Sequence, residues 1–137
     1  MVLILVAMTS VVAATLVKER VLSARIRVVS DQLAYDLRAA RLKAVSQRAA
    51  VDVVVTTDPA NTYAYTDARG HLQTRDMPPG VRIVSSNNPI RFQTNGSVIG
   101  GASTVLETDL STFATERWTV DTTVLGNPRV SHVKVTP

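Results

Sequence analysis

The side chains best suited to catalysis or metal binding are few in this sequence and lie far apart. The chain has no cysteine and two histidines, His71 beside a predicted turn and His132 in the last predicted strand. Neither has a His, Asp or Glu cluster near it at the spacing of a metal site. No serine falls in a G-x-S-x-G sequence, and Gly100-Gly101 lacks the flanks of a phosphate-binding loop. We therefore predict no catalytic, cofactor-binding or metal-binding residue, and a protein that is not an enzyme.

The positive charge of the chain is concentrated in one segment. Residues 18–48 contain eight basic and three acidic residues, whereas residues 49–137 contain seven basic and eight acidic residues. The net charge of +4 therefore belongs to the first third of the chain. Two interpretations remain open for this segment. It is either a solvated helix face or a stripe that binds a polyanion.

A long helix is predicted for residues 1–49, which contain neither proline nor glycine. After Lys18 the apolar residues recur at intervals of three and four, the helical period, and are Leu22, Ile26, Val29, Leu33, Leu37, Ala40 and Ala44. Residues 1–17 carry no charge. We therefore divide the helix into a transmembrane part at 1–17 and an amphipathic part at 18–50.

The uncharged run at 1–17 has three competing interpretations. A signal peptide would carry its basic residues before the run, whereas Lys18 and Arg20 follow it. A simple anchor conflicts with the positive-inside rule, which places the side that carries these residues in the cytoplasm. The third interpretation is an anchor that also serves in assembly, and the continuation of the helical pattern beyond the run favours it.

Residues 51–137 change to short alternating or β-branched stretches separated by turns that contain glycine, proline or asparagine. The predicted strands are 51–57, 62–66, 71–74, 81–84, 90–93, 97–99, 104–108, 116–124 and 129–135. The alternation slips at His132, which predicts a bulge there. The expected fold class is α+β, with the amphipathic half of the helix packed on an antiparallel β-sheet or β-sandwich domain at 51–137.

Three stretches of the sequence resemble the GspH/FimT family of minor pseudopilins, which belong to the type IV pilin-like proteins. LAYDLRAARLKAVSQRAAVDVVV at 33–55 is similar to that family's L-x-x-D-L-R-x-A-R helix-to-strand junction. IRFQTNGSV at 90–98 is similar to its I-x-F-x-x-x-G segment, and RWTVDTTVLGNPRV at 117–130 to its closing strand pair. The resemblance covers nearly the whole chain, and the first stretch is its most specific part.

The resemblance implies a pilin-like fold and a structural subunit of a type IV pilus or a type II secretion pseudopilus. It implies a single-pass protein of the bacterial inner membrane with an extracytoplasmic β domain, which later enters the filament. The implied partners are other pilins or pseudopilins, inner-membrane lipid and, for a full-length form, prepilin peptidase. The candidate face for helix assembly is Leu22, Ile26, Val29, Leu33 and Leu37.

The sequence departs from the family pattern at its start. The basic leader that ends in glycine, the mature start and the proline near the end of the apolar segment are not found in residues 1–20. We expect the run at 1–17 to be the family's helix without its first few mature residues. The closing turn reads Gly126-Asn127-Pro128-Arg129-Val130 rather than G-R-V.

The resemblance also implies an alternative function, since some members of the family bind DNA for uptake through basic residues of their C-terminal strands. The candidates here are Arg117, Arg129 and Lys134, with double-stranded DNA as the partner. A further interpretation is an unrelated single-span protein with an extracytoplasmic β domain. It requires the helix to end at the membrane, and the unbroken apolar stripe argues against that.

Overall fold

The computed structural model describes residues 2–67, 69–111 and 114–136, and in these residues one helix is followed by eight strands. The helix α1 spans Val2–Gln47. The strands are β1 (Val51–Thr56), β2 (Thr62–Thr66), β3 (Leu72–Asp76), β4 (Arg82–Ser86), β5 (Ile90–Phe92), β6 (Ala102–Ser111), β7 (Ala114–Thr122) and β8 (Pro128–Val135). Every pairing described between these strands is antiparallel. The predicted α+β fold class is confirmed.

The helix α1 ends at Gln47, close to the predicted end at residue 49. Arg48 adopts a left-handed conformation with φ of 49°, and the Ala49 amide donates to the Ala44 carbonyl at 3.2 Å, which closes the last turn. Within the described residues, α1 offers no segment both long and apolar enough to cross a membrane. Met1 lies outside these residues, and the division of the helix between residues 17 and 18 stays a prediction.

The eight strands form two four-stranded sheets. The first has the order β3-β2-β1-β5 and the second the order β4-β6-β7-β8. The helix packs mainly on β6, β7 and β8 of the second sheet and on β1 of the first. Both sheets therefore contribute to the same core, and the helix covers it.

The core is aliphatic, as the scarcity of aromatic residues indicates. Alternate residues of the strands point into it, since successive side chains of a strand face opposite sides. Full burial of one large aliphatic side chain stabilises a fold by about 1.5–3 kcal/mol. The largest fully buried apolar side chains are Ile26, Leu33, Leu37, Val53, Val55, Tyr63, Ile83, Ile90, Phe92, Leu106 and Val120.

Two local predictions about the strands are wrong. Residues 97–99 do not form a strand, because Val98 makes only an isolated bridge to Phe92 across the turn at Asn95-Gly96. No bulge occurs at His132, where β7 and β8 keep an unbroken register and His132 lies opposite Trp118. The alternation slips there because β8 is an edge strand with mostly exposed side chains, so its pattern is weakly constrained. Register shifts occur instead between β4 and β6, at residues 83–85 of β4, and between β6 and β7, at residues 109–111 of β6.

Candidate functional site

The five residues predicted as the helix assembly face lie against the chain's own strands. Leu22, Ile26, Leu33 and Leu37 are buried, and Val29 is half-buried against the same core. Their role in this structure is to hold α1 on the β domain. Another subunit would therefore contact α1 through a different face.

A second apolar stripe runs along the opposite face of α1. Val21, Val28, Tyr35 and Leu42 recur every seven residues and are 42%, 66%, 64% and 69% exposed. Large apolar side chains that recur on one face and stay exposed mark an interaction surface. The seven-residue spacing was present in the sequence, but the stronger stripe on the buried face masked it.

Asp36 connects the helix to the first sheet through buried hydrogen bonds. One carboxylate oxygen accepts from the Tyr63 hydroxyl at 2.7 Å and lies 3.0 Å from Nε of Arg75. The other oxygen accepts from Nε2 of Gln32 at 3.1 Å. The side chain of Asp36 is only 3% exposed, and a carboxylate can be buried to this extent because a cation and two neutral donors surround it. Asp36 therefore ties β2 and β3 to the helix.

The phenol of Tyr63 is held in its neutral form at this position. Burial and the hydrogen bond to Asp36 raise the pKa of Tyr63 far above its ordinary value of 10.0. Arg75, which contacts Asp36 through Nε, also donates from Nη2 to the Tyr65 hydroxyl at 3.3 Å. Its guanidinium carbon lies 5.9 Å from the centroid of the Tyr65 ring, within the range of a cation–π contact.

Arg41 joins the helix to two turns of the β domain. Its Nε donates to the Gly96 carbonyl at 3.2 Å, and its Nη1 donates to Oδ1 of Asn127 at 2.5 Å. Arg41, Gly96 and Asn127 come from the three stretches that carry the family resemblance. The fold thus brings those stretches together at one end of the domain, and Arg41 is the side chain that links them.

The two turns touch each other through glycine. A Cβ atom on Gly126 would lie 1.9 Å from the Gly96 carbonyl oxygen. Gly126 also has a φ of +78°, a conformation that favours glycine. The contact between the turns therefore requires glycine at position 126.

The outer face of the second sheet carries a paired charge cluster. The Glu107 carboxylate accepts from Nε of Arg117 at 2.7 Å and from Nη2 of Arg82 at 3.4 Å. Arg82 also donates to Asp109, at 2.7 Å and 3.2 Å. Arg82 and Arg117 therefore already have carboxylate partners within the chain.

The three candidate DNA-binding residues do not lie on one surface. Arg117 and Arg129 are on the outer face of the second sheet, where Arg117 pairs with Glu107 and Arg129 lies opposite Asp121. Lys134 is five residues after Arg129 on the regular strand β8, so it points to the inner face. Its register partner there is Glu116.

The inner face beside Lys134 holds a second buried carboxylate. Glu116 accepts from Nε1 of Trp118 and lies near Nε2 of His132, both at 2.8 Å. The rings of Trp118 and His132 are 4.6 Å apart. His132 therefore has a structural partner. Across the described part of the chain, no group of three or more His, Asp or Glu residues is arranged to hold a metal ion.

The sequence matches the family of the type II transport protein GspH over residues 29–126, which is more than half of the 137-residue chain. The matched region begins in the second half of α1 and ends at the turn that contains Gly126. No curated protein and no solved structure matches the chain. Asp36, Arg41 and Gly96, which the resemblance singled out, lie in the matched region and connect its helix to its sheets. The chain belongs to the GspH family of type II transport proteins.

Proposed function

We propose that this protein is a minor pseudopilin, a structural subunit of a type II secretion pseudopilus that assembles through its N-terminal helix. The observation that carries the proposal is the exposed apolar stripe Val21, Val28, Tyr35 and Leu42. The four side chains of this stripe are exposed, so a second helix can pack on them without displacing the buried core. The partners are other pseudopilins.

The proposal places the chain in the bacterial inner membrane before assembly, with residues 1–17 in lipid and the β domain at 51–137 on the extracytoplasmic side. In this arrangement residues 18–50 stand outside the lipid, and their apolar stripe is free to meet the helices of neighbouring subunits. Membership in the GspH family supports this arrangement.

Copurification tests the proposal. The tagged full-length chain, expressed in a bacterium with a type II secretion system, should retain other pseudopilins after mild detergent extraction. The double variant Val28→Ser, Leu42→Ser should lose most of this retention. A matched control is Val54→Ser, Val84→Ser, which changes two valines that are 43% and 45% exposed on the strands β1 and β4. Equal retention by both double variants would contradict assembly through the helix.

A further inference from the structure

We propose that the edge of β3 that faces away from β2 binds an extended segment of another polypeptide, which adds to the first sheet as an antiparallel strand. The segment carries an apolar, a basic and an acidic residue in that order, opposite Met77, Asp76 and Arg75. This binding site lies in the β domain and does not depend on how α1 assembles with other subunits.

The strand β3 ends the first sheet, and all five of its residues are exposed. A strand in this position presents backbone groups that no neighbouring strand satisfies. The hydrogen bonds just beyond the two ends of β3 show which residues carry these groups. The Met77 amide donates to the Asn61 carbonyl and the Asp67 amide donates to the His71 carbonyl, both at 2.9 Å.

In an antiparallel ladder, residues that exchange hydrogen bonds alternate with residues whose backbone groups point away from the partner strand. Counted from those two bonds, Gln73 and Arg75 exchange hydrogen bonds with β2. The N–H and C=O groups at the open edge therefore belong to Leu72, Thr74 and Asp76. Within the described residues, no loop and no side chain supplies a partner for these groups. Their spacing is the one that an added strand requires.

The other three edges of the two sheets are protected. At β4, the Ile83 amide donates to Oδ1 of Asn61 in a neighbouring loop at 2.9 Å. The strand β5 has only three residues and is bridged at its end by the turn that follows. The strand β8 begins with Pro128, which has no N–H, and carries Lys134, and both residue types discourage pairing at an edge. The edge of β3 is therefore the best suited to receive a strand.

A cavity of about 450 Å³ lies between α1 and β3. Its apolar walls are Val28, Val29, Tyr63 and Met77. Tyr63 is buried on the inner face of the sheet and is the register partner of Arg75, so a side chain added opposite Arg75 or Met77 points to the same inner face. An apolar side chain opposite Met77 would thus leave water and enter this cavity.

Two charged residues of β3 favour particular neighbours in the added strand. Arg75 uses Nε and Nη2 for its contacts with Asp36 and Tyr65, and its side chain is still exposed. A guanidinium has five N–H donors, so a carboxylate opposite Arg75 can accept from those that remain. Asp76 lies on the outer face and has no ion pair within the described residues, which favours a cation opposite it. Read antiparallel to β3, the segment is apolar, basic and acidic.

A synthetic peptide tests the proposal. The probe is Leu-Lys-Glu-Thr-Thr-Val with blocked ends and a fluorophore, titrated against the full chain in detergent by fluorescence anisotropy. Thr74→Pro removes an N–H at the open edge but no hydrogen bond to β2, and it should weaken binding about tenfold or more. Thr74→Val keeps this N–H and the β-branched shape, and it should bind like the native chain. A Kd of the native chain above about 1 mM, or equal binding by the two variants, would overturn the proposal.

Charge exchange tests the register of the added strand. Asp76→Lys should weaken binding of the probe by up to about fivefold, the upper range for an exposed ion pair. A second peptide with glutamate in place of lysine should prefer the Asp76→Lys variant to the native chain. Asp121→Lys makes the same charge change at an exposed residue of the second sheet and should leave both affinities unchanged. The same preference for the two peptides in all three chains would show that Asp76 does not face the lysine and would overturn the register.

Hydrogen exchange identifies the edge in the native chain, without any substitution. The probe should slow exchange of the Leu72, Thr74 and Asp76 amides and leave those of Val130 and His132, on the edge of β8, unchanged. Slower exchange at β8 alone would overturn the assignment to β3. Sedimentation of the chain without peptide covers the remaining occupant, because a dimer that Thr74→Pro dissociates would assign this edge to a second copy and overturn the proposal.

Discussion

At the scale of single residues, the polar side chains of the family-like stretches act within the fold. Asp36 accepts from Tyr63, Gln32 and Arg75, and it thereby fixes the first sheet to the helix. Arg41 fixes two turns to the same helix. Such side chains attract attention in a sequence because they are charged, yet here their charge stabilises packing.

Substitution of Asp36 tests this role. Asp36→Asn keeps the shape of the side chain but removes the negative charge that faces Arg75. The new amide group of the side chain is itself a donor, and it would face the donors of Tyr63, Gln32 and Arg75. We expect the free energy of unfolding to fall by about 1–3 kcal/mol in urea denaturation of the full chain in detergent. Asp31→Asn, at an exposed position of the same helix, should change it by less than about 0.5 kcal/mol.

Alkaline pH should weaken the fold through Tyr63. Its pKa is raised in the folded state, so the unfolded state loses this proton first and binds fewer protons than the folded state. The contribution to stability is therefore complete below about pH 10 and declines as the pH rises above it. One proton corresponds to a slope of about 1.4 kcal/mol per pH unit.

Urea denaturation between pH 9 and about pH 12 gives that slope. Tyr63→Phe should reduce this slope by about one proton, because it removes the group whose pKa is raised in the folded state. Identical slopes for the native chain and Tyr63→Phe would contradict the assignment.

At the scale of elements, the alternation of side chains along a strand places residues that are close in sequence on opposite faces of the sheet. Arg129 and Lys134 both belong to β8, but their odd spacing sends them to opposite faces of the sheet. Arg117 shares a face with Arg129 and is paired with Glu107. A basic patch therefore does not follow from the number of cations on neighbouring strands.

This alternation gives a prediction for DNA binding. If the chain binds a duplex through the outer face, Arg129→Ala should weaken binding and lower the salt dependence of the affinity by about one charge. Lys134→Ala, on the other face, should leave both unchanged. Gel-shift titrations of the full chain at several salt concentrations measure both effects, and a requirement for Lys134 alone would contradict the outer-face assignment.

The turn contact at Gly126 gives a second prediction at this scale. Gly126→Ala should destabilise the chain by about 3 kcal/mol or more, since its Cβ meets a carbonyl oxygen and its φ is positive. Gly100→Ala is the matched control, because Gly100 has a φ of +74° but nothing within 4 Å of its Cβ position. We expect Gly100→Ala to cost about 1 kcal/mol, from the backbone conformation alone. Equal urea midpoints for Gly126→Ala and Gly100→Ala would contradict the contact between the turns.

At the scale of the whole molecule, the helix serves the fold with one face and leaves another free. Among the side chains described along α1, the first that is buried is Leu22, which lies against Gly80, and those at 14–18 are exposed. The helix therefore extends past the β domain on its N-terminal side. The part of α1 before Leu22 is therefore not needed to cover the β domain.

Truncation tests which part of the helix α1 stabilises the fold. A chain that begins at residue 18 keeps every buried side chain described on α1, the first of which is Leu22, and should unfold with the same urea midpoint as the full chain. A chain that begins at residue 27 lacks the buried side chains of Leu22 and Ile26 and should lose about 3 kcal/mol or more. Equal stability of the two truncations would show that the first turns of this contact contribute nothing.

The sequence predicted the fold class well because its patterns have clear physical causes. The absence of proline and glycine up to residue 49 allows one long helix, and β-branched alternation after Val51 allows only strands. The predictions that were wrong concern stretches in which few side chains are buried, so that burial constrains the sequence pattern only weakly. The short stretch at 97–99 is mostly turn, and the edge strand β8 tolerates an irregular alternation without a bulge.

The sequence by itself determined a long helix, an antiparallel β domain and a chain of the pseudopilin type, because periodicity and local motifs are properties of neighbouring residues. Only the tertiary structure decided which of the two apolar stripes of α1 is buried, that Asp36 and Arg41 are structural clamps, and that Arg129 and Lys134 are separated. These properties depend on contacts between residues far apart in the chain. Their outcome is set by packing and strand register, which a local pattern does not contain.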